Sequence, residues 1–318
     1  MKDVIKELKK AKNIALFAHV SPDPDTIGST LALCKILESL NKKVDLFCDE
    51  TNDKYCLFED YSRFSTDGET DLKKYDLLVA VDVSESFRLG VFEEKFLAHE
   101  NTVRVDHHTA GANFAKINLC KPYSACAILI YEIAKKLKVK ISVEIATMLY
   151  FAICGDTGLF KNNNTDSVTF RICAELFECG ADFKKVYGEF YSKTTLEYIK
   201  LSSSILLGAK TNDEYGFAIL SASQKDYEKF NPEQNENVSN LPHSYLNCGY
   251  KIAVILKEKE DGVHCSFRSK FEYDCNQIAA VFGGGGHKNA SGCIIEGTLK
   301  EVEKQVEKEI INYLKSLV

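Results

Sequence analysis

Eight residues of this chain have side chains and placements suited to gathering positive charge. His19, Asp23 and Asp25 lie in "AHVSPDPDTIGST" (18–30), and Asp82 ends "LLVAVD". Asp106, His107 and His108 end "VRVDHH", and Asp156 sits in "CGDTG". Each follows or ends an apolar run, where a carboxylate without a partner carries a considerable desolvation penalty. Taken singly, each has a bland explanation. Asp-Pro-Asp makes a turn, a His-His pair is incidental, and Asp156 before Thr157 and Gly158 closes a helix. Taken together, acidic and imidazole groups arriving from four segments repel one another unless cations lie between them. Mixed oxygen and imidazole donors suit Mn²⁺, whereas thiolates suit zinc and all-oxygen sets magnesium. Pro22 and Pro24 restrict the first loop, so its three ligand-type side chains lose less entropy on taking up an ion.

The twelve cysteines offer no rival donor set. No CxxC pair occurs, and most sit in apolar runs such as "LALCKILESL" and "TFRICAELFECG", as expected of reduced core thiols in a cytosolic protein. With 318 residues, 45% hydrophobic and 27% charged, the chain reads as a globular protein of two domains. Its net charge of −6 argues against general attraction to long duplex nucleic acid. No apolar run approaches the ~18 residues of a membrane helix, and the amphipathic start lacks a secretory cleavage pattern. The expectation is a cytoplasmic protein with no membrane partner.

The elements that would position the eight residues alternate along the first half. Residues 13–20, 42–49, 75–83 and 101–108 read as short buried strands. Ile27, Leu31, Cys34, Leu37 and Leu40 recur at helical spacing, and helical patterns fill 124–139, 142–153 and 167–180. Alternating strands and helices predict a mostly parallel sheet with helices on both faces, whose ligands bind at the carboxyl ends of the strands. The second half differs. A helix near 194–210 precedes strands at 215–223, 250–258 and 262–270, the last two joined by an Asp261-Gly262 turn. A short helix at 275–282, a strand at 291–297 and an amphipathic closing helix at 300–317 complete a smaller α+β domain. The predicted division is a domain over 1–190, a helical linker over 191–212 and a second domain over 213–318, with the active site in the cleft between the two.

Two features of the second half suit anion binding. The stretch "GGGGH" (283–287) leaves backbone amides open to close approach, although a surface loop would look the same. Alternation in "HCSFRSK" puts His264, Ser266, Arg268 and Lys270 on one strand face, which a solvated face would also explain.

The motifs "HVSPDPDTIGS", "VAVD", "VDHH" and "GDTG", in this order, resemble those of the DHH phosphoesterase superfamily. "SFRSK" and "FGGGGHKNASG" resemble the DHH-associated C-terminal domain, and the whole chain looks most like the bifunctional oligoribonucleases, or nanoRNases, that also dephosphorylate 3′-phosphoadenosine 5′-phosphate (pAp). The resemblance implies two Mn²⁺ per chain, with Mg²⁺ or Co²⁺ as substitutes. It implies His19 and Asp23 on one ion, Asp25, His107 and Asp156 on the other, and Asp82 bridging. Asp106 would orient His107, and His108 would face the substrate phosphate as a catalytic group. Arg268 and His287, with Gly284, Gly285, Gly286 and Ser291, would bind substrate. Asn276 and Asn289 are weaker candidates, and "NNNT" (162–165) either reaches the cleft or caps a helix at Thr165. The implied reaction uses water activated between the two ions to release 5′-mononucleotides from di- to penta-nucleotides and the 3′-phosphate from pAp. The implied partners are short single-stranded oligonucleotides and pAp, with homodimerisation through the first domain also a family trait. Alternatives are a cyclic di-AMP or linear pApA phosphodiesterase, a single-strand exonuclease, a family II pyrophosphatase and a catalytically silent nucleotide sensor.

Overall fold

The amphipathic start folds as α1 (Lys2–Lys10), which buries Val4 and Leu8 and leads into β1 (Asn13–Phe17). These belong to a computed structural model that describes residues 1–51, 57–108, 113–191, 194–232 and 238–317. The chain divides into two compact units, residues 1–193 and 194–318.

In the first unit, α2 (Pro24–Glu38) starts where the Asp23 carboxylate accepts from the amides of Asp25 and Thr26, with Pro24 in the first turn. There follow β2 (Lys43–Phe47), β3 (Phe64–Ser65), β4 (Leu77–Val81), α3 (Glu93–Ala98), β5 (Thr102–Asp106) and β6 (Ile117–Cys120). Then come α4 (Cys126–Leu137), α5 (Val143–Asp156), α6 (Ser167–Glu178) and α7 (Phe183–Tyr191). The six strands pair in parallel in the order β3-β2-β1-β4-β5-β6.

Alternate residues of the central strands enter two cores. Ile14, Leu16, Leu77 and Val79 join the one that includes α2, α4 and α5, while Ala15, Phe17, Leu78 and Ala80 pack with Phe92 and Phe96. Burial on both faces explains why these strands are continuous apolar runs. The sequence gives no sign of β3, two residues long, or of β6, an edge strand that is only half apolar. The strand order reverses between β1 and β4, and the loops after β1, β4 and β5 emerge at that crevice.

In the second unit, α8 (Leu196–Leu207), β7 (Lys210–Asn212), β8 (Phe217–Ala222), α9 (Gln224–Phe230) and α10 (Pro242–Asn247) precede a hairpin. The hairpin is β9 (Ile252–Lys259) and β10 (Gly262–Ser269). Its two-residue turn is Glu260-Asp261, one position before the expected Asp261-Gly262, and Gly262 opens β10 paired with Lys259. After it come α11 (Cys275–Val281), β11 (Gly285–His287), β12 (Ala290–Ile295) and α12 (Leu299–Ser316). The mixed sheet runs β11-β12-β10-β9-β8-β7, parallel only at β8–β9.

The expected linker over 191–212 is not a free connector. Leu201 and Ile205 of α8 are buried against Ala218, Leu220 and Ile255 of the second sheet. Residues 192 and 193 of that stretch lie outside the described residues. The described cysteines are free thiols, buried except for Cys179, Cys120 and Cys248. Among the described residues, no helix is long and apolar enough to cross a membrane.

Candidate metal centre

His19 follows β1 by two residues. Its Nδ1 lies 2.7 Å from the carbonyl of Val20, which leaves Nε2 facing Asp23 Oδ2 at 3.6 Å and Asp82 Oδ2 at 3.7 Å. Asp23 spends Oδ1 on the helix cap, so Oδ2 remains for the centre. Asp25, fully buried in the first turn of α2, accepts from Ser29 Oγ and from the amides of Cys126 (2.6 Å) and Ala127 (3.1 Å). Those amides open α4, so the N-terminus of a helix packed beside α2 in the same core supports the carboxylate.

Asp82 directly follows β4 with a φ of +60°, uncommon for a residue other than glycine. This backbone turn aims a buried carboxylate at both histidines. Asp82 Oδ1 is 3.5 Å from His107 Nε2, and among the described residues it has no hydrogen-bond partner. His107 repeats the arrangement of His19. Its Nδ1 sits 2.9 Å from the Tyr123 carbonyl, while Nε2 lies 3.1 Å from Asp156 Oδ2 and 3.9 Å from Asp25 Oδ2. Asp156 is the last residue of α5, and its carbonyl accepts from Asn162 and Asn164.

The electrostatics describe a site short of positive charge. Burial, then the charge of Asp156, pushes Asp25 up to about 8. Burial followed by the charges of Asp25, Asp23, Asp156 and Asp106 raises Asp82 well above the ordinary carboxylate range. Burial opposes protonation of His107, but its bond to Asp156 and the charge of Asp25 raise it to about 9. Burial also opposes ionisation of Asp23, yet its contacts with His19 and the two cap amides hold it below its usual value.

Two groups of ligand atoms lie within 4.8 Å of one another: His19, Asp23 and Asp82, and Asp25, His107 and Asp156. A third group joins Asp82 to Asp106, His107 and His108. The donor chemistry, two imidazoles anchored through Nδ1 and an orphaned buried carboxylate oxygen, fits hard divalent cations.

Asp106 corrects one expectation. Its Oδ1 lies 2.8 Å from Nδ1 of His108, not at His107, and its other oxygen pairs with buried Arg104. Position two of the triplet is already held by Tyr123, which frees the carboxylate for position three. Burial works against its charge, but His108 and Arg104 bring Asp106 down to about 2. The N-cap of α6 is Asp166 rather than Thr165.

In the second unit, Arg268 is half-buried and donates to the carbonyl of Phe267, and burial lowers its pKa. His264 and Ser266 share its partly open strand face, as alternation predicts, whereas Lys270 lies one residue beyond the end of β10. His287 is exposed on β11. Ser291 is a correction: it is buried, and its hydroxyl donates to the Cys275 carbonyl as an internal link. Asn289 likewise spends its amide on Ser269, Lys270 and Tyr273, whereas Asn276 Oδ1 is buried without a partner. Gly284 also has a packing reason, since a Cβ there would lie 2.2 Å from the Gly292 carbonyl oxygen.

Two residues escaped the sequence reading. Arg104, alternating inward in "VRVD", is a buried arginine whose signal was its place one turn of the pleat before Asp106. Arg88 in "SESFRLG" lies with Nη2 3.0 Å from His19 Nδ1, and nothing in its local sequence marked it.

The model of the DHH family N-terminal domain matches residues 13–153, and that of the DHHA1 domain matches 229–316. An uncharacterized protein of Mycoplasma genitalium is 31% identical over 93% of this chain and 90% of its own length. The chain belongs to the DHH family. It is therefore an enzyme of the metal-dependent phosphodiesterase and phosphatase class. The bifunctional oligoribonuclease and PAP phosphatase NrnA of Bacillus subtilis is 28% identical over 92% of both chains. A crystal structure of an exopolyphosphatase-related protein from Bacteroides fragilis superimposes on this DHH protein with a TM-score of 0.88. It has 25% identity and covers 99% of this chain and 96% of its own.

Proposed function

We propose that this DHH protein hydrolyses short single-stranded oligonucleotides to 5′-mononucleotides and removes the 3′-phosphate of pAp, using two Mn²⁺. The observation that carries the reading is the buried, unpartnered Oδ1 of Asp82, set between two His–Asp groups. The likeness to NrnA supports the choice of substrates.

His19 and Asp23 would hold one ion and Asp25, His107 and Asp156 the other, with Asp82 available to either. A bound pair of divalent ions supplies an acidified water and neutralises charge at the phosphoryl group. The backbone carbonyls of Val20 and Tyr123 keep Nδ1 of the two ligand histidines protonated and direct Nε2 into the centre. Asp106 holds His108 through Nδ1, and in the imidazolium form the free Nε2–H donates to a phosphoryl oxygen or passes its proton to the leaving oxygen. Within the second unit, Arg268, His287 and the open backbone of Gly285 are its candidate substrate-binding groups.

The test incubates the full chain and Mn²⁺ with a 5′-labelled dinucleotide, pAp, a longer oligomer and cyclic di-AMP. Turnover of the first two ahead of the others supports the proposal. Loss of neither dinucleotide nor pAp overturns it, and faster turnover of cyclic di-AMP replaces it with a cyclic dinucleotide phosphodiesterase.

A further inference from the structure

Arg88 belongs to a 3-10 turn, Ser86–Phe92, that leaves the end of β4. The turn is fixed at several points. Leu89 and Phe92 are buried, and the Phe92 ring meets those of Phe17 and Phe47 at 5.5 and 5.4 Å. The Arg88 carbonyl accepts from the amide of Val20 at 2.8 Å, next to the first ligand histidine. Val91 donates to Asp49 Oδ1 at 2.8 Å, and Gly90, at φ +57°, lies so close that a Cβ would meet that carboxylate at 2.3 Å. The guanidinium is therefore delivered to the metal centre by a pinned backbone.

What it meets there is unusual for an arginine among aspartates. Among the described residues, Arg88 makes no ion pair, although Arg104 pairs with Asp106 and Arg63 with Asp60 and Glu38. Its Nε is buried with no hydrogen-bond partner. Nη2 lies 3.0 Å from His19 Nδ1, but that nitrogen also faces the Val20 carbonyl at 2.7 Å. The two contacts compete, because the carbonyl needs a proton on Nδ1 and the guanidinium needs a lone pair there; with Nε2 given to an ion, Nδ1 carries the ring's proton. Arg88 then points a donor at a donor. The same tautomer leaves Nε2 of His19 with the lone pair that an ion requires. In the state competent for metal, Arg88 thus has donors and, among the described residues, no protein acceptor.

We propose that Arg88 binds a phosphate oxygen of the substrate at this centre, an inference that rests on the phosphoesterase reading above. A guanidinium fork without a carboxylate is matched by a phosphoryl group, to which it offers short, charge-assisted bonds. The carboxylates facing His19, those of Asp23 and Asp82, would be taken up by the ions, so the anion that matches the guanidinium would come from outside.

The experiment titrates inorganic phosphate calorimetrically into the Mn²⁺-loaded full chain, comparing wild type, Arg88→Ala and Arg88→Lys, with Mn²⁺ titrated separately into each. Phosphate binding weakened about tenfold or more in Arg88→Ala, partly recovered in Arg88→Lys, with Mn²⁺ binding unchanged, supports the proposal. The KM for pAp should rise in the same order. Unchanged phosphate affinity in Arg88→Ala, or no phosphate binding by wild type, overturns it. Mn²⁺ and phosphate affinity falling together also overturns it and makes Arg88 a positioning residue for His19. Thermal melts identify a variant that fails to fold, in which case Arg88→Lys alone decides. Wild type that binds phosphate but hydrolyses no nucleotide defeats the substrate assignment and leaves Arg88 standing.

Discussion

Asp106 Oδ1 lies 2.8 Å from Nδ1 of His108, while the adjacent His107 gives its Nδ1 to the Tyr123 carbonyl at 2.9 Å. Two neighbouring histidines are thus held by different groups, one by a charge and one by a neutral dipole. Asp106→Asn removes the charge behind His108 without touching the two His–Asp groups. The expected outcome is a fall in kcat of about 10–100-fold. Mn²⁺ stoichiometry by elemental analysis should be unchanged. Loss of an ion instead would place Asp106 among the ligands.

Asp82 calls for a different substitution. Its φ of +60° is tolerated by Asn far better than by Ala, so Asp82→Asn isolates the charge from backbone strain. Activity on every substrate should fall by about 10²-fold or more, as when a principal electrostatic contact is lost. The metal-free variant should melt above metal-free wild type, because one buried, crowded carboxylate is gone. A lower melting temperature than wild type, without metal, would contradict the account of repulsion at the centre.

The pH response of the metal-free protein has a definite sign. Asp25, raised from 3.8 to about 8, keeps a proton in the fold that the unfolded chain has released, so its contribution to stability falls as pH rises across that interval. His107, raised from 6.5 to about 9, stabilises the fold fully below the lower value and loses that stabilisation as pH passes the upper one. Both act in the same direction. Asp106, lowered to about 2, acts oppositely and only below its ordinary 3.8. Melting temperature in a chelator should therefore decline from pH 6 to above 9, whereas Mn²⁺ should flatten the decline and release protons on binding. Calorimetry in buffers of different ionisation enthalpy measures that release. A melting temperature that climbs over this range in chelator would refute the site's charge balance.

The first sheet was legible because its central strands are buried on both faces and therefore written as apolar runs, each ending at a ligand-type residue or followed by one within two positions. The eight ligand-type residues announced themselves by that contrast. What the residues alone could not convey was contact across distant segments. The support of Asp25 by the amides of Cys126 and Ala127 spans about a hundred positions, and backbone amides leave no mark in the side-chain sequence. The partner of Asp106 depended on Tyr123 having already taken His107. Short edges such as β3 and β11 lack the length for a periodic signal. The residues of α8, amphipathic but bounded by a domain junction, read as a linker although their apolar side is core.

The consecutive glycines of "GGGG" (283–286) separate into different physical roles. A Cβ on Gly284 would lie 2.2 Å from the Gly292 carbonyl oxygen and 2.4 Å from Cys293 Cβ, both on the adjacent strand β12. Neither atom is the mobile end of a side chain, so β12 itself must shift. At Gly285 the nearest atom is Asn276 Oδ1 at 3.9 Å, ordinary contact distance. Gly284→Ala should then destabilise the unit by about 1–3 kcal/mol, as overpacking does. Gly285→Ala should leave the melting temperature unchanged. If the open backbone at Gly285 admits substrate, its alanine variant raises the KM for pAp while kcat holds. The reverse pattern, with Gly285→Ala unstable and Gly284→Ala neutral, would mean that the β11–β12 pairing differs from the register Gly285↔Gly292 on which the distinction depends.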